Sequence, residues 1–220
     1  MSTSVSCGSR GGTPSSRSAF DESIHQKCSA ISVPADTFSQ GDVLQGKYTV
    51  EQFLAWMRIR PERFELHGDR IVCTSGTKKE HREAVRTLDE EIQKRKRTGC
   101  HVDIADAIQA TVGTSPYYFP DLIVVCGPQE YEDIDGIDVL KNPCVVIEVL
   151  SRTTRKSDES FKFESHLGLP SVKLVVLVDT DAMTATIHAS GRDVHVEHRP
   201  TMRELAEHVA AVVVELDCVG

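Results

Sequence analysis

Glu148 stands inside one of the most apolar stretches of the chain, Val145-Val146-Ile147-Glu148-Val149-Leu150. A strand with that pattern is buried on both faces, as in the middle of a sheet. A carboxylate there is costly unless it is paired, protonated or metal-bound. Asp121 poses the same question at the entrance of a second apolar run, Leu122-Ile123-Val124-Val125-Cys126. Two carboxylates on neighbouring buried strands can converge at one end of a sheet. Hard divalent cations such as Mg²⁺ select oxygen-rich sites of that kind. The alternative is a buried salt bridge from Glu148 to Arg152 or Lys162, and these residues alone do not separate the two. Asp158 and Lys162 lie four apart on the segment that follows. That spacing gives either an i,i+4 ion pair of roughly 0.3–0.5 kcal/mol or a lysine reaching over the sheet end towards Glu148. In the second case the cation would sit beside a bound water and an incoming phosphate. Position alone favours the ion pair.

The elements that must position these groups are legible from spacing. Thr49-Val50-Glu51-Gln52 is a capping box, with Phe53, Leu54 and Met57 at helical spacing until Pro61 stops the helix. Phe64 to Leu66 and Ile71 to Thr74 flank Gly68-Asp69 and read as a β-hairpin. Thr77-Lys78-Lys79-Glu80 is a second capping box, opening a helix over about 78–97. His81, Ala84, Val85, Leu88 and Ile92 form its inward stripe, which places His81 on the buried face of the first turn. A strand over 101–112 and the Asp121 strand come next. An acidic loop over 129–138 precedes the Glu148 strand. A helix over 153–168, an apolar strand over 172–178, an edge hairpin turning at Ser190-Gly191 and a helix capped by Thr201 complete the order. The class is mixed α/β, a sheet flanked by helices.

With 220 residues there is room for one domain and an appendage. Residues 1–46 are Ser- and Gly-rich at their start and nearly charge-balanced, which predicts a low-complexity, disordered tail ahead of a domain over 47–220. The arginines at its start also fit an organelle transit peptide, although no amphipathic stripe accompanies them. Hydrophobic residues at 40% and charged residues at 26% are globular values, which excludes wholesale disorder. The net charge of −8 excludes a generally basic protein that coats nucleic acid. No apolar run approaches the ~20 residues of a membrane span. Seven cysteines, none in a CxxC pair, predict reduced core thiols in a cytoplasmic setting. A Cys/His hydrolase using Cys73 or Cys126 with His81 would need an oriented pair and an oxyanion element, and the sequence supplies neither.

Phe119-Pro120-Asp121-Leu122-Ile123-Val124-Val125-Cys126-Gly127 resembles the motif that carries the first metal carboxylate of PD-(D/E)XK nucleases. Asn142-Pro143, Val146-Ile147-Glu148-Val149-Leu150-Ser151, Thr153-Thr154-Arg155 and Asp158 to Lys162-Phe163-Glu164 together resemble the Uma-two family, which is assigned to the restriction endonucleases. Val176 to Asp179, the hairpin Phe64-Glu65-Leu66-His67-Gly68-Asp69 and His81 fit the same pattern. The resemblance spans about 48–216. It implies a restriction-endonuclease-like core with a central mixed β-sheet between helices. It also implies that Asp121 and Glu148 bind Mg²⁺, with Mn²⁺ as a substitute, and that Lys162 is the catalytic lysine. Glu65 and His81 are then accessory residues, with Asp158 beside them. In the wider superfamily a lysine sits two residues after the second carboxylate, where this chain has Leu150. The family's proline after the serine is Arg152 here, its tyrosine after the lysine is His166, and Asp69 follows Gly68 where an aspartate usually precedes it.

The activity implied is metal-dependent hydrolysis of phosphodiester bonds, with DNA as the substrate and a homodimer as the assembly. Arg152, Arg155 and Lys156 are candidate contacts to the nucleic-acid backbone. The basic side of the helix over 78–97 is another, although Lys94 to Arg97 read better as a solvated face. The alternative is a nuclease-fold protein that no longer cuts and serves as a binding or assembly module. Low aromatic content, 5%, leaves few platforms for stacking bases.

Overall fold

The Thr49 hydroxyl accepts from the Gln52 backbone N–H at 3.3 Å, and the Gln52 side chain accepts from the Thr49 N–H at 2.9 Å. This capping box starts helix α1 (Val50–Ile59), which buries Phe53, Leu54 and Trp56 and stops before Pro61. The computed structural model describes residues 38, 41–74, 78–104, 107–109, 117–134, 136–150, 162–189 and 192–215. Asp36–Gly220 forms one compact unit. Thr77, Arg152, Arg155, Lys156, Asp158 and the Ser190-Gly191 turn lie outside the described residues, as do 1–37 of the expected tail.

The strands form two six-stranded sheets. The first has the order β2-β1-β5-β4-β8-β7, built from β1 (Phe64–His67), β2 (Arg70–Cys73), β4 (Ala107–Gln109), β5 (Tyr117–Tyr118), β7 (Tyr131–Ile134) and β8 (Ile137–Leu140). The second has the order β12-β11-β10-β9-β6-β3. Its members are β3 (Cys100–Asp103), β6 (Leu122–Cys126), β9 (Val145–Leu150), β10 (Leu174–Asp179), β11 (Thr184–Ala189) and β12 (Arg192–Val196). It is the expected central mixed sheet: β9 and β10 run parallel and its other pairings are antiparallel. Residues 41–44, expected to belong to the tail, lie along β2. Gly41 N–H donates to Cys73 O at 2.8 Å, and Leu44 N–H to Ile71 O at 3.0 Å.

Helix α2 (Lys79–Arg95) and helix α4 (Met202–Glu215) pack on one another and on one face of the second sheet. Their Ala84, Val85, Leu88, Ile92, Leu205, Val209 and Val213 share a core with Leu122, Val124, Val145, Ile147 and Val176. The alternate residues Ile123, Val125, Val146 and Val175 face the other way, into a core with Ile108, Tyr118 and Leu140 of the first sheet. Strand periodicity puts Glu148 on this second face, between the two sheets. Thr201 caps α4, accepting from the Glu204 N–H at 3.2 Å. Helix α3 (Phe163–Leu167) is the described end of the helix expected over 153–168.

Three expectations are corrected. The strand expected over 101–112 is two strands, β3 in the second sheet and β4 in the first. The chain changes sheets between them, with no Gly or Pro to mark the break. The acidic stretch expected as a loop is the hairpin β7–β8. Its Glu132 and Asp133 point to water, so no apolar alternation betrays the strand, and Gly136 turns it at φ 82°. The cysteines are not all thiols. Cys73 and Cys144 are, but Cys100 and Cys126 are disulfide-bonded. Antiparallel register sets these two opposite one another, a proximity that spacing along the chain does not show. The bond removes the ground on which a cytoplasmic compartment was expected. Among the described residues no helix is long and apolar enough to cross a membrane.

Candidate active site

β6 and β9 are antiparallel neighbours with Leu122 opposite Ile147. One step further along the same ladder, Asp121 comes opposite Glu148. Directly opposed residues point to the same side with Cβ atoms about 5 Å apart. The two carboxylates therefore converge at one sheet end. Asp121 Oδ2 accepts from the Val149 N–H at 2.8 Å, which fixes the aspartate against the β9 backbone. Its Oδ1 meets His81 Nε2 at 2.9 Å. His81 thus points inward from the first turn of α2, as its stripe predicts.

Glu148 and Lys162 are both buried. Glu148 Oε1 lies 3.2 Å from His166 Nε2 and 3.6 Å from Lys162 Nζ. Lys162 does reach over the sheet end, the reading that position alone did not favour. Among the described residues its tightest contact is with Glu65 of β1, at 2.9 and 3.1 Å to the two oxygens. Glu65 Oε1 also accepts from the Phe119 N–H at 3.0 Å, and Oε2 meets His67 Nε2 at 2.8 Å. The accessory glutamate is therefore the lysine's counter-ion. It ties the first sheet to the segment that carries Asp121 into the second.

The electrostatics follow from burial and partners. Burial alone would raise the Glu65 carboxyl, but the charge of Lys162 and the bond and charge of His67 outweigh it and pull it down to about 2. Burial likewise disfavours a charged His81, while the hydrogen bond and charge of Asp121, helped by Glu148, raise its pKa above the ordinary imidazole value. Burial raises the Tyr118 hydroxyl. The Tyr118 ring lies under Lys162, 5.9 Å from Nζ, and meets the rings of His67 and His166 edge-on at 5.1 and 5.3 Å. It forms the floor on which lysine and histidines rest.

The structure thus brings together Asp121, Glu148, Lys162, Glu65 and His81. Sequence reasoning assigned no site role to His67 or Tyr118 and met His166 only as a departure from the tyrosine of the family that the sequence resembles. Two of these had a signal. His67 is two residues from Glu65 on a strand, hence on the same face, and His166 is four from Lys162 on a helix. Tyr118 had none. Lys94 meets Glu91 at 2.6 Å and Arg95 also pairs with it, so these two charges of the basic helix serve its own packing.

Among the described residues no group of three or more His, Cys, Asp or Glu side chains could hold a metal ion. Asp121 and Glu148 supply hard oxygen donors from only two side chains. That fits an ion such as Mg²⁺, which keeps several waters and takes one or two carboxylates plus substrate phosphate. It does not fit a protein-caged transition metal.

A profile of the Uma2 family, described as "Putative restriction endonuclease", matches residues 50–216. The chain belongs to the Uma2 family. The match runs from α1 to the end of α4 and so includes all five residues gathered at the site. This Uma2 chain is also similar to slr1290, an uncharacterized protein of Synechocystis sp., with 26% identity over 148 residues, covering 67% of this chain and 76% of the relative. Its fold is similar to the crystal structure of a protein from Anabaena variabilis described as a "putative nuclease belonging to DUF820". The TM-score is 0.50 at 14% identity, covering 74% of this chain and 97% of the other. That likeness carries the fold and leaves the chemistry to the residues.

Proposed function

We propose that this Uma2 protein is a Mg²⁺-dependent nuclease that hydrolyses phosphodiester bonds of nucleic acid, with DNA as its substrate. The observation that supports it most is the convergence of Asp121 and Glu148 at one sheet end, with Lys162 3.6 Å from Glu148. Asp121 and Glu148 would hold the cation, which when bound neutralises charge on the scissile phosphate and acidifies water. Lys162 places a positive charge where negative charge develops in the transition state. Ionised Glu65 and the Tyr118 ring keep that lysine from swinging away. His81 holds a proton at Nε2 against Asp121 and orients its carboxylate. With a net charge of −8, tight binding of a duplex without a cation is not expected. The homodimer belongs to the same proposal, with β12 at the end of the second sheet as the edge available for a second copy.

A second reading, a binding or assembly module on a nuclease fold, draws on one observation. Each carboxylate already has a histidine, Asp121 with His81 and Glu148 with His166, so the site is hydrogen-bonded without a cation. Nicking of supercoiled plasmid in Mg²⁺ or Mn²⁺ separates the two. Cleavage by the wild type and none by Glu148→Ala is the result expected of the nuclease. Metal binding without turnover, on DNA or RNA, is the result expected of the module. Equal cleavage by both proteins contradicts the assignment of the site.

A further inference from the structure

A second reactive constellation lies at the opposite end of β6 from Asp121. Cys100 of β3 and Cys126 of β6 face each other across the antiparallel pair and are bonded. Three observations set this bond apart from a closed structural bridge. It lines a small, partly open pocket with Val213 and Val214 of α4 and with the basic pair Lys96 and Arg97. Its two residues are unequal: Cys100 is buried, whereas Cys126 is partly exposed. Two cations share the pocket with the bond: Lys96, whose Nζ donates to the backbone carbonyl oxygen of Cys100 at 2.8 Å, and Arg97. Cations next to a cysteine favour its thiolate, and a low-pKa thiolate is the better leaving group in exchange.

We propose that Cys100–Cys126 is a thiol–disulfide exchange site for a small anionic thiol. The thiolate of the incoming molecule attacks Sγ of Cys126, the exposed half. A new S–S bond forms there, the Cys100–Cys126 bond breaks, and its electron pair leaves on Cys100 as a thiolate beside Lys96 and Arg97. A second thiol attacks the incoming molecule's sulfur in this mixed disulfide and releases Cys126. The balance is two small thiols oxidised to one disulfide and the protein disulfide reduced to two cysteines, which take up the two protons. Lys96 and Arg97 select the anionic thiol by charge. Neither this step nor its residues depend on the nuclease reading.

The test uses the full chain and two defined thiols, glutathione and the uncharged 2-mercaptoethanol, at equal thiolate concentration. First, the unreduced protein is alkylated in denaturant and mapped by mass spectrometry. Cys100 and Cys126 are expected to stay unmodified, and their alkylation at this stage overturns the proposal. Second, the native protein is incubated with each thiol and quenched in time. A glutathione adduct on Cys126 is expected, with opening several-fold faster than by 2-mercaptoethanol. Added salt and the Lys96→Gln/Arg97→Gln variant should each remove that advantage. An adduct on Cys100, equal rates for the two thiols, or opening only as fast as the chain unfolds overturns it. Circular dichroism of the Lys96→Gln/Arg97→Gln variant shows whether its fold is kept, and the salt series in the wild type tests the same charge effect without any substitution.

Discussion

Two places that bury glutamates put charge to opposite uses. Glu91 of α2 is buried and is met by three cations, Lys94, Arg95 and Arg203. Lys94 and Arg203 are more than half exposed, so the cluster is a surface clasp, and Arg203 carries it from α4 to α2. It holds the Glu91 carboxyl down at about 2 through the hydrogen bonds of Lys94 and Arg95, against the effect of burial. At the sheet end the partners are shared instead. Glu65 and Glu148 both draw on Lys162, and the charges of Asp121, Glu148 and Lys162 all act on His81. An anion surrounded by cations has no further use for one. Carboxylates that share one lysine and otherwise lean on histidines do, and such a shared site marks function better than burial alone.

The contrast breaks first at Glu148. Glu148→Gln keeps the side chain's shape and its contact with His166 while removing the charge. Cleavage is expected to fall by about 10²–10³-fold or more, the scale for losing a transition-state electrostatic partner. Glu91→Gln, assayed beside it, should cleave as the wild type does. Next in size is Lys162→Met, which leaves Glu65 buried without its main counter-ion. Denaturant unfolding should show a loss of about 3–5 kcal/mol, as for breaking a buried pair from one side.

Acid sharpens the same point. The Glu65 carboxyl is held at about 2 against an ordinary 4.5, so its contribution is present above pH 4.5 and is lost as pH falls towards 2. That difference corresponds to about 3 kcal/mol. A stability profile from pH 6 to pH 2 should fall by that amount in the wild type, beyond the fall seen in Glu65→Gln. The smallest effect belongs to the exposed clasp. Arg203→Ala should cost under about 1 kcal/mol in urea unfolding and leave cleavage unchanged, because a half-exposed ion pair is worth little in water.

Much of the site was legible because buried carboxylates are conspicuous. Glu148 between apolar neighbours and Asp121 before an apolar run needed no structure to attract attention, and the capping box at Thr49 and the cap at Thr201 fixed two helices. Their convergence needed the β6–β9 register, and the choice between ion pair and reaching lysine needed the helix over 163–167 in place. Glu65's task was hidden because its partner lies on another sheet, and only tertiary packing brings Lys162 to it. Tyr118 was invisible for the same reason. The split between β3 and β4 and the Cys100–Cys126 bond depend on which strands pair, which spacing along the chain does not encode. The hairpin β7–β8 is different. The Asp135-Gly136 dipeptide is a turn signal, and the acidity of its flanks concealed it.

The direct test of the Asp121–Glu148 site is Mn²⁺ binding, followed by the loss of free-ion signal in electron paramagnetic resonance. It uses the wild type, Asp121→Asn, Glu148→Gln and Glu91→Gln. The account predicts one ion bound per chain in the wild type and in Glu91→Gln, with binding weakened at least tenfold in the other two. Wild-type protein that binds no Mn²⁺, or binding that Asp121→Asn and Glu148→Gln leave intact, would contradict it.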